Sequence, residues 1–164
     1  MLTTRTRFTR KALGAALSAM IATAAFAVGA TAPTEAAAED RAESPFVGTF
    51  KTIDDETGNA KSYVQIMKVG PFYVGKITKL LRAEDQGKTC EKCADDDNRK
   101  DQPVLGMLIL TGMKEVDGEL KGGQILDPGK GKVYRCKMWF DNGNLMVRGY
   151  LGPFYRTQTW YRVN

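Results

Sequence analysis

"VYRCKMWFDNGNLMVRGYL", residues 133–151, decides how this chain folds. Before its central Asp141-Asn142-Gly143, Tyr134, Cys136, Met138 and Phe140 alternate with Val133, Arg135, Lys137 and Trp139. Alternation with a period of two marks a strand whose two faces meet different surroundings. Asn-Gly tolerates the positive φ angles that a tight primed turn needs, so the segment reads as a β-hairpin. Residues 144–151 are its return strand, and residues 156–163 are expected to add one more.

Working towards the N-terminus, the same pattern repeats. Residues 120–126 form a short, glycine-weakened strand between turns at Asp117-Gly118 and Asp127-Pro128-Gly129. Residues 104–113 are apolar and strand-like. Residues 82–103 are long, polar and aperiodic, and read as a loop. Residues 72–81, 61–69 and 46–53 are three more strands, separated by Gly70-Pro71 and by the polar turn 54–59. About eight short strands joined mostly by hairpin-length turns make an all-β domain. An antiparallel meander of that size removes its edges by closing on itself. The expected architecture is a small up-and-down barrel or a strongly curled meander, with a flattened sandwich as the alternative.

The start of the chain is targeting sequence. Arg5, Arg7, Arg10 and Lys11 precede an uncharged run over residues 12–30, and small-residue cleavage patterns follow at 25–27, 30–32 and 36–38. That is the layout of a secretory signal peptide, with an uncleaved anchor as its rival. The division is then 1–38 signal peptide and processing region, 39–45 flexible spacer and 46–164 a single β domain. Four of the 24 Lys+Arg and one of the 19 Asp+Glu lie in residues 1–38, leaving 20 basic against 18 acidic side chains, a net charge of +2. So mild a charge, without a basic stripe, argues against nucleic-acid binding. The expected location is periplasmic or secreted, with membrane contact only through the signal peptide during export.

Six stretches carry a family resemblance: "SPFVGTFKTIDDETGNAKSYVQI" (44–66), "YVGKITKL" (73–80), "CEKC" (90–93), "GQILDPGKGKVYRCKMWF" (123–140), "LMVRGYLG" (145–152) and "RTQTWYRV" (156–163). Together they resemble a bacterial family of small secreted proteins, the domain of unknown function numbered 2147. The resemblance implies an envelope location and supplies no activity. The family's Gly-x-Trp start here ends in Phe50, which keeps the aromatic ring and loses the indole N–H. Gly48-Thr49-Phe50 and Arg162 also look like the Gly-x-aromatic and C-terminal arginine pair of lipocalin-like barrels. That resemblance implies a guanidinium stacked over the ring at one barrel end, a favourable cation–π contact.

The three cysteines are Cys90, Cys93 and Cys136. In an oxidising compartment thiols tend to pair. The simplest arithmetic joins Cys90 to Cys93 and leaves Cys136 buried as a small hydrophobe, while a bond from the loop to Cys136 is the rival. No histidine and no second Cys-x-x-Cys is present, so a structural zinc site lacks ligands. Redox use would need a helix N-terminus to lower a thiol pKa, and here acidic residues follow instead. Asp95-Asp96-Asp97 lacks the glycine and terminal glutamate of a calcium loop and reads as a solvated acidic segment. Asp54, Asp55 and Glu56 read as turn formers.

No nucleophile–base pair can be named, so no catalytic residue, metal or cofactor is expected and the reading is non-enzymatic. The strongest polar constellation is C-terminal. Arg148 and Tyr150 share one face of their strand, and Arg156, Gln158, Trp160 and Arg162 share one face of the next. Should those faces meet, arginines among aromatic rings suit a carboxylate or phosphate. The plainer reading is that arginine stems cover outward aromatic surface. The function expected is binding of a small apolar or anionic ligand, or else a structural or protein-interaction role in the envelope.

Overall fold

The structure is a computed structural model and describes residues 43–163. The expected signal peptide lies outside the described residues. Eight antiparallel strands follow in chain order: β1 (Gly48–Ile53), β2 (Ala60–Val69), β3 (Phe72–Leu80), β4 (Leu108–Val116), β5 (Glu119–Asp127), β6 (Lys132–Asp141), β7 (Asn144–Leu151) and β8 (Phe154–Val163). Each pairs with the next, and β1 pairs with β8, so the sheet is a closed barrel rather than a sandwich. Asp117 and Gly118 have φ of 54° and 73°, and Asn142 and Gly143 of 48° and 79°, the signature of type I′ turns.

The expected alternation sets the inner face. Val64, Ile66, Leu110, Leu120, Met138, Leu145 and Trp160 are fully buried. The expected strand 104–113 is displaced, because β4 runs Leu108–Val116. Residues 104–107 belong to the preceding connection, where the Val104 amide donates to Lys88 and the Gly106 amide to Ile77. A continuous apolar run carries no period-two mark from which to place its start.

One barrel end is sealed. Phe46 is buried there, 5.1 Å from the Phe140 ring and 6.2 Å from that of Tyr73. The Arg162 guanidinium lies 4.8 Å over Phe50, as the lipocalin-like resemblance implies. It donates to the carbonyls of Val47, at 3.1 Å, and Pro45. Gly48 has φ of 140°, and a Cβ there would lie 2.4 Å from Arg162 Nη1, so the close approach requires glycine. Ser44 and Pro45, the last residues of the expected spacer, are thus hydrogen-bonded to the barrel, Ser44 through Glu115.

The long β3–β4 connection is ordered by its own hydrogen bonds. The Cys90 amide donates to Gln102, the Asp101 amide donates back to Cys90, and Thr89 bridges Pro103. Cys90 and Cys93 form a disulfide, and both are buried, with Cys90 Sγ 3.6 Å from the Pro128 carbonyl of the β5–β6 turn. The staple is therefore part of the core and packs the connection onto the barrel wall. Cys136 sits inside that wall as a free thiol, which rules out the rival bond. Burial pushes its pKa up to about 12, which removes the reactive thiolate at neutral pH. Replacing Cys90 and Cys93 with serine is expected to destabilise the domain by about 2 kcal/mol, the chain-entropy value for so short a loop. Urea unfolding measures this. Alkylation of Cys136 should appear only as the protein unfolds.

Candidate functional site at the open barrel end

The other barrel end is a mouth. Strand pairing decides what points into it. In the β7–β8 ladder Gly149 opposes Arg156, Val147 opposes Gln158 and Leu145 opposes Trp160, all on the inner face. Arg148 opposes Thr157 and Tyr150 opposes Tyr155, on the outer face. Directly opposed residues of an antiparallel pair lie on one side of the sheet. The two faces proposed to form one cluster therefore do not meet.

The six candidate residues separate into three places. Arg156, Gln158 and Trp160 line the open end. Arg162 shares their face but sits at the sealed end, six residues and about 20 Å along the strand. Arg148 lies outside, 4.9 Å from the Trp139 ring and 4.5 Å from that of Tyr155, and donates to Thr157 Oγ1 at 2.7 Å. Tyr150 is beside it, 6.0 Å from Tyr155. For Arg148 and Tyr150 the plainer reading, arginine over outward aromatic surface, is the one realised.

At the open end a cavity of about 160 Å³ is lined by Ile77, Ile109, Ile125, Val147 and Trp160 below and by Asp55, Lys61, Lys130, Arg156 and Gln158 towards the rim. Thr52 and Ser62 add a hydroxyl pair, 2.8 Å apart. Trp160 Nε1 donates to Gln158 Oε1 at 3.2 Å, which orients the amide. Gln158 Nε2 then donates to Asp55 Oδ2, and Arg156 Nε reaches the same oxygen at 3.1 Å. One carboxylate oxygen thus receives both polar groups that β8 sends into the mouth.

Asp54 builds the turn that delivers Asp55. Its carboxylate accepts from the Thr57 and Glu56 amides and the Thr57 hydroxyl, and pairs with Arg82 at 3.0 Å and Lys61 at 3.7 Å. Burial opposes ionisation of Asp54, but these donors and cations outweigh it and lower its pKa from 3.8 to about 2. A carboxylate held below its unfolded pKa stabilises the fold above that pKa and ceases to as pH falls through the folded value. Stability is expected to decline between about pH 4 and pH 2, with Asp54→Asn flattening the slope, as followed by urea midpoints at each pH.

Sequence reasoning did not find Asp55, Lys61, Lys130, Thr52 or Ser62. Nothing local marks Asp55, whose partners on β8 are about a hundred residues away. In the acidic segment of the β3–β4 connection, Asp97 and Asp95 face cations, as does Asp101 beyond it. Asp97 pairs with Arg99 at 2.6 Å, which holds its pKa at about 2, and Lys100 lies 3.9 Å from Asp95 and 3.6 Å from Asp101.

Comparison with known proteins agrees with the barrel fold. The fold is shared with protein HP1028 from the human pathogen Helicobacter pylori, described as belonging to the lipocalin family. The TM-score is 0.61 at 17% identity, over 73% of this chain and 83% of that one. Among curated proteins no match was found. A family profile described as an uncharacterized protein conserved in bacteria, DUF2147, matches residues 48–162. That span runs from the Gly48 that admits Arg162 to Arg162 itself, and so takes in all of the closed barrel but Val163. The chain belongs to the DUF2147 family of bacterial proteins.

Proposed function

We propose that this protein is a non-enzymatic binding barrel, exported to the bacterial envelope, whose open end takes a small apolar carboxylic acid. The observation that carries the reading is Asp55. Its carboxylate already sits on Arg156 and Gln158 directly above an apolar cavity. It is an internal stand-in for the ligand's own carboxylate, with the acyl chain running down towards Trp160. The lipocalin-like fold supports binding in the barrel interior. At about 160 Å³ the cavity is smaller than a drug-sized site, so it suits a short chain. The N-terminal targeting pattern supports export.

Trp160 gives the readout. In a Trp139→Phe background it is the sole tryptophan, and titrating octanoate should change its emission. Arg156→Gln is expected to weaken octanoate binding about tenfold to a hundredfold, the effect of losing one hydrogen bond to a charged group. Asp55→Asn removes the competing anion and is expected to tighten it. Octanol binding as well as octanoate would sink the carboxylate assignment while leaving an apolar site. Native mass spectrometry of protein purified gently from its envelope fraction tests the wider reading. A bare mass together with an unresponsive Trp160 would overturn it.

A further inference from the structure

The β7–β8 hairpin projects at the rim of the mouth and is the most exposed apolar feature among the described residues. Phe154 is 77% exposed, Tyr155 62% and Leu151 49%. Leu151 opposes Phe154 at the tip, around Gly152-Pro153. The next pair back is Tyr150 and Tyr155. Level with them Arg135 opposes Tyr150 on β6, and Arg148 follows two residues, about 7 Å, further down. Lys132 begins β6 at the same end of the barrel. Among the described residues Lys132, Arg135 and Arg148 form no ion pair. Of the acids at this end, Asp55 and Glu56 are engaged by Arg156 and Lys130, and Asp127 opposes Lys132 across the β5–β6 ladder, which leaves Arg135 and Arg148 as the cations without an acid opposite them.

The rim here therefore combines aliphatic and phenyl groups at the hairpin tip, phenols one pair back with Arg135 beside them, and Arg148 two residues further down. That combination suits the edge of a bilayer. Acyl chains accept the apolar tip, the interface favours tyrosine, and anionic headgroups attract the basic tier. We propose that this hairpin is a docking finger that seats the open end of the barrel on an anionic lipid bilayer. Membrane contact then extends beyond the export segment to the folded domain. The inference does not depend on what the cavity holds.

The test uses protein purified from the envelope of the expressing bacterium, with an environment-sensitive nitrobenzoxadiazole label on Phe154→Cys. Cys136 is buried and Cys90 is paired with Cys93, so the label goes to position 154 alone. With phosphatidylglycerol vesicles the label should brighten and shift to the blue. The same label on Asn142→Cys, in the β6–β7 turn at the sealed end, should keep its aqueous emission. Arg135→Gln and Lys132→Gln should each weaken vesicle binding about fivefold, and phosphatidylcholine should bind least. An unchanged label at 154, an equal response at 142, or indifference to the two basic substitutions would overturn the proposal. So would a photoreactive group at 154 that crosslinks in the envelope to a protein and to no lipid.

Discussion

Phe50→Ala is expected to lower the unfolding free energy by about 3–5 kcal/mol, the usual effect of deleting a buried phenyl ring. Phe50 is fully buried, and its ring lies 6.5 Å from that of Phe140 and 4.8 Å beneath Arg162. The substitution removes the floor of the sealed end and the platform on which Arg162 rests. Phe50→Leu separates the two contributions, since it keeps most of the apolar volume and loses the aromatic face. Arg162→Ala alone is expected to destabilise by about 1–2 kcal/mol, because the side chain is solvent-accessible and its stacking is correspondingly weak. In the Phe50→Leu background that effect should shrink by the cation–π contribution, about 0.5–1 kcal/mol. Urea unfolding of the four proteins closes the cycle. Strict additivity would mean that Arg162 acts only through its bonds to Val47 and Pro45.

Gly131→Ala should destabilise by about 3 kcal/mol, combining left-handed backbone strain with overpacking. Gly131 has φ of 63°, and a Cβ there would lie 1.7 Å from the Lys92 carbonyl oxygen and 2.7 Å from the Cys93 amide. Neither atom is the end of a flexible side chain, so the disulfide segment must lift off the β5–β6 turn. Gly143→Ala is the control. Its φ is 79° and nothing lies within 4 Å of the added atom, so only the backbone contribution, about 1–2 kcal/mol, remains. Reduction of Cys90–Cys93 by dithiothreitol should be faster in the Gly131 variant than in the Gly143 variant. Equal rates would show that the disulfide segment is not held by this contact.

Much of the barrel was legible because its signals are local. Asn142-Gly143 and Asp117-Gly118 announced their turns. The alternation through Tyr134, Cys136, Met138 and Phe140 assigned a buried face without reference to any other strand. Gly48, Phe50 and Arg162 marked the sealed end through a resemblance, which the stacking over Phe50 bears out. Where alternation lapsed, as over residues 104–113, the boundary moved. The site was less legible. Arg156, Gln158 and Trp160 were correctly grouped on one face, yet Arg148 and Tyr150 were joined to them across a register that puts Arg148 opposite Thr157. Asp55, read as a turn former, proved to be the group that those β8 residues hold.

By itself the sequence determined the number of strands, the turns between them and which residues of each strand share a side. Each of these depends on backbone preferences within a few residues. Only the tertiary structure decided which sides of β7 and β8 face the interior, that the six-residue cluster is divided between mouth, outer wall and floor, and that a turn at Asp54 and Asp55 closes on β8. Those outcomes rest on pairing register and barrel closure. A shift of one residue in pairing exchanges every inward side chain for an outward one, and no local stretch of chain carries that information.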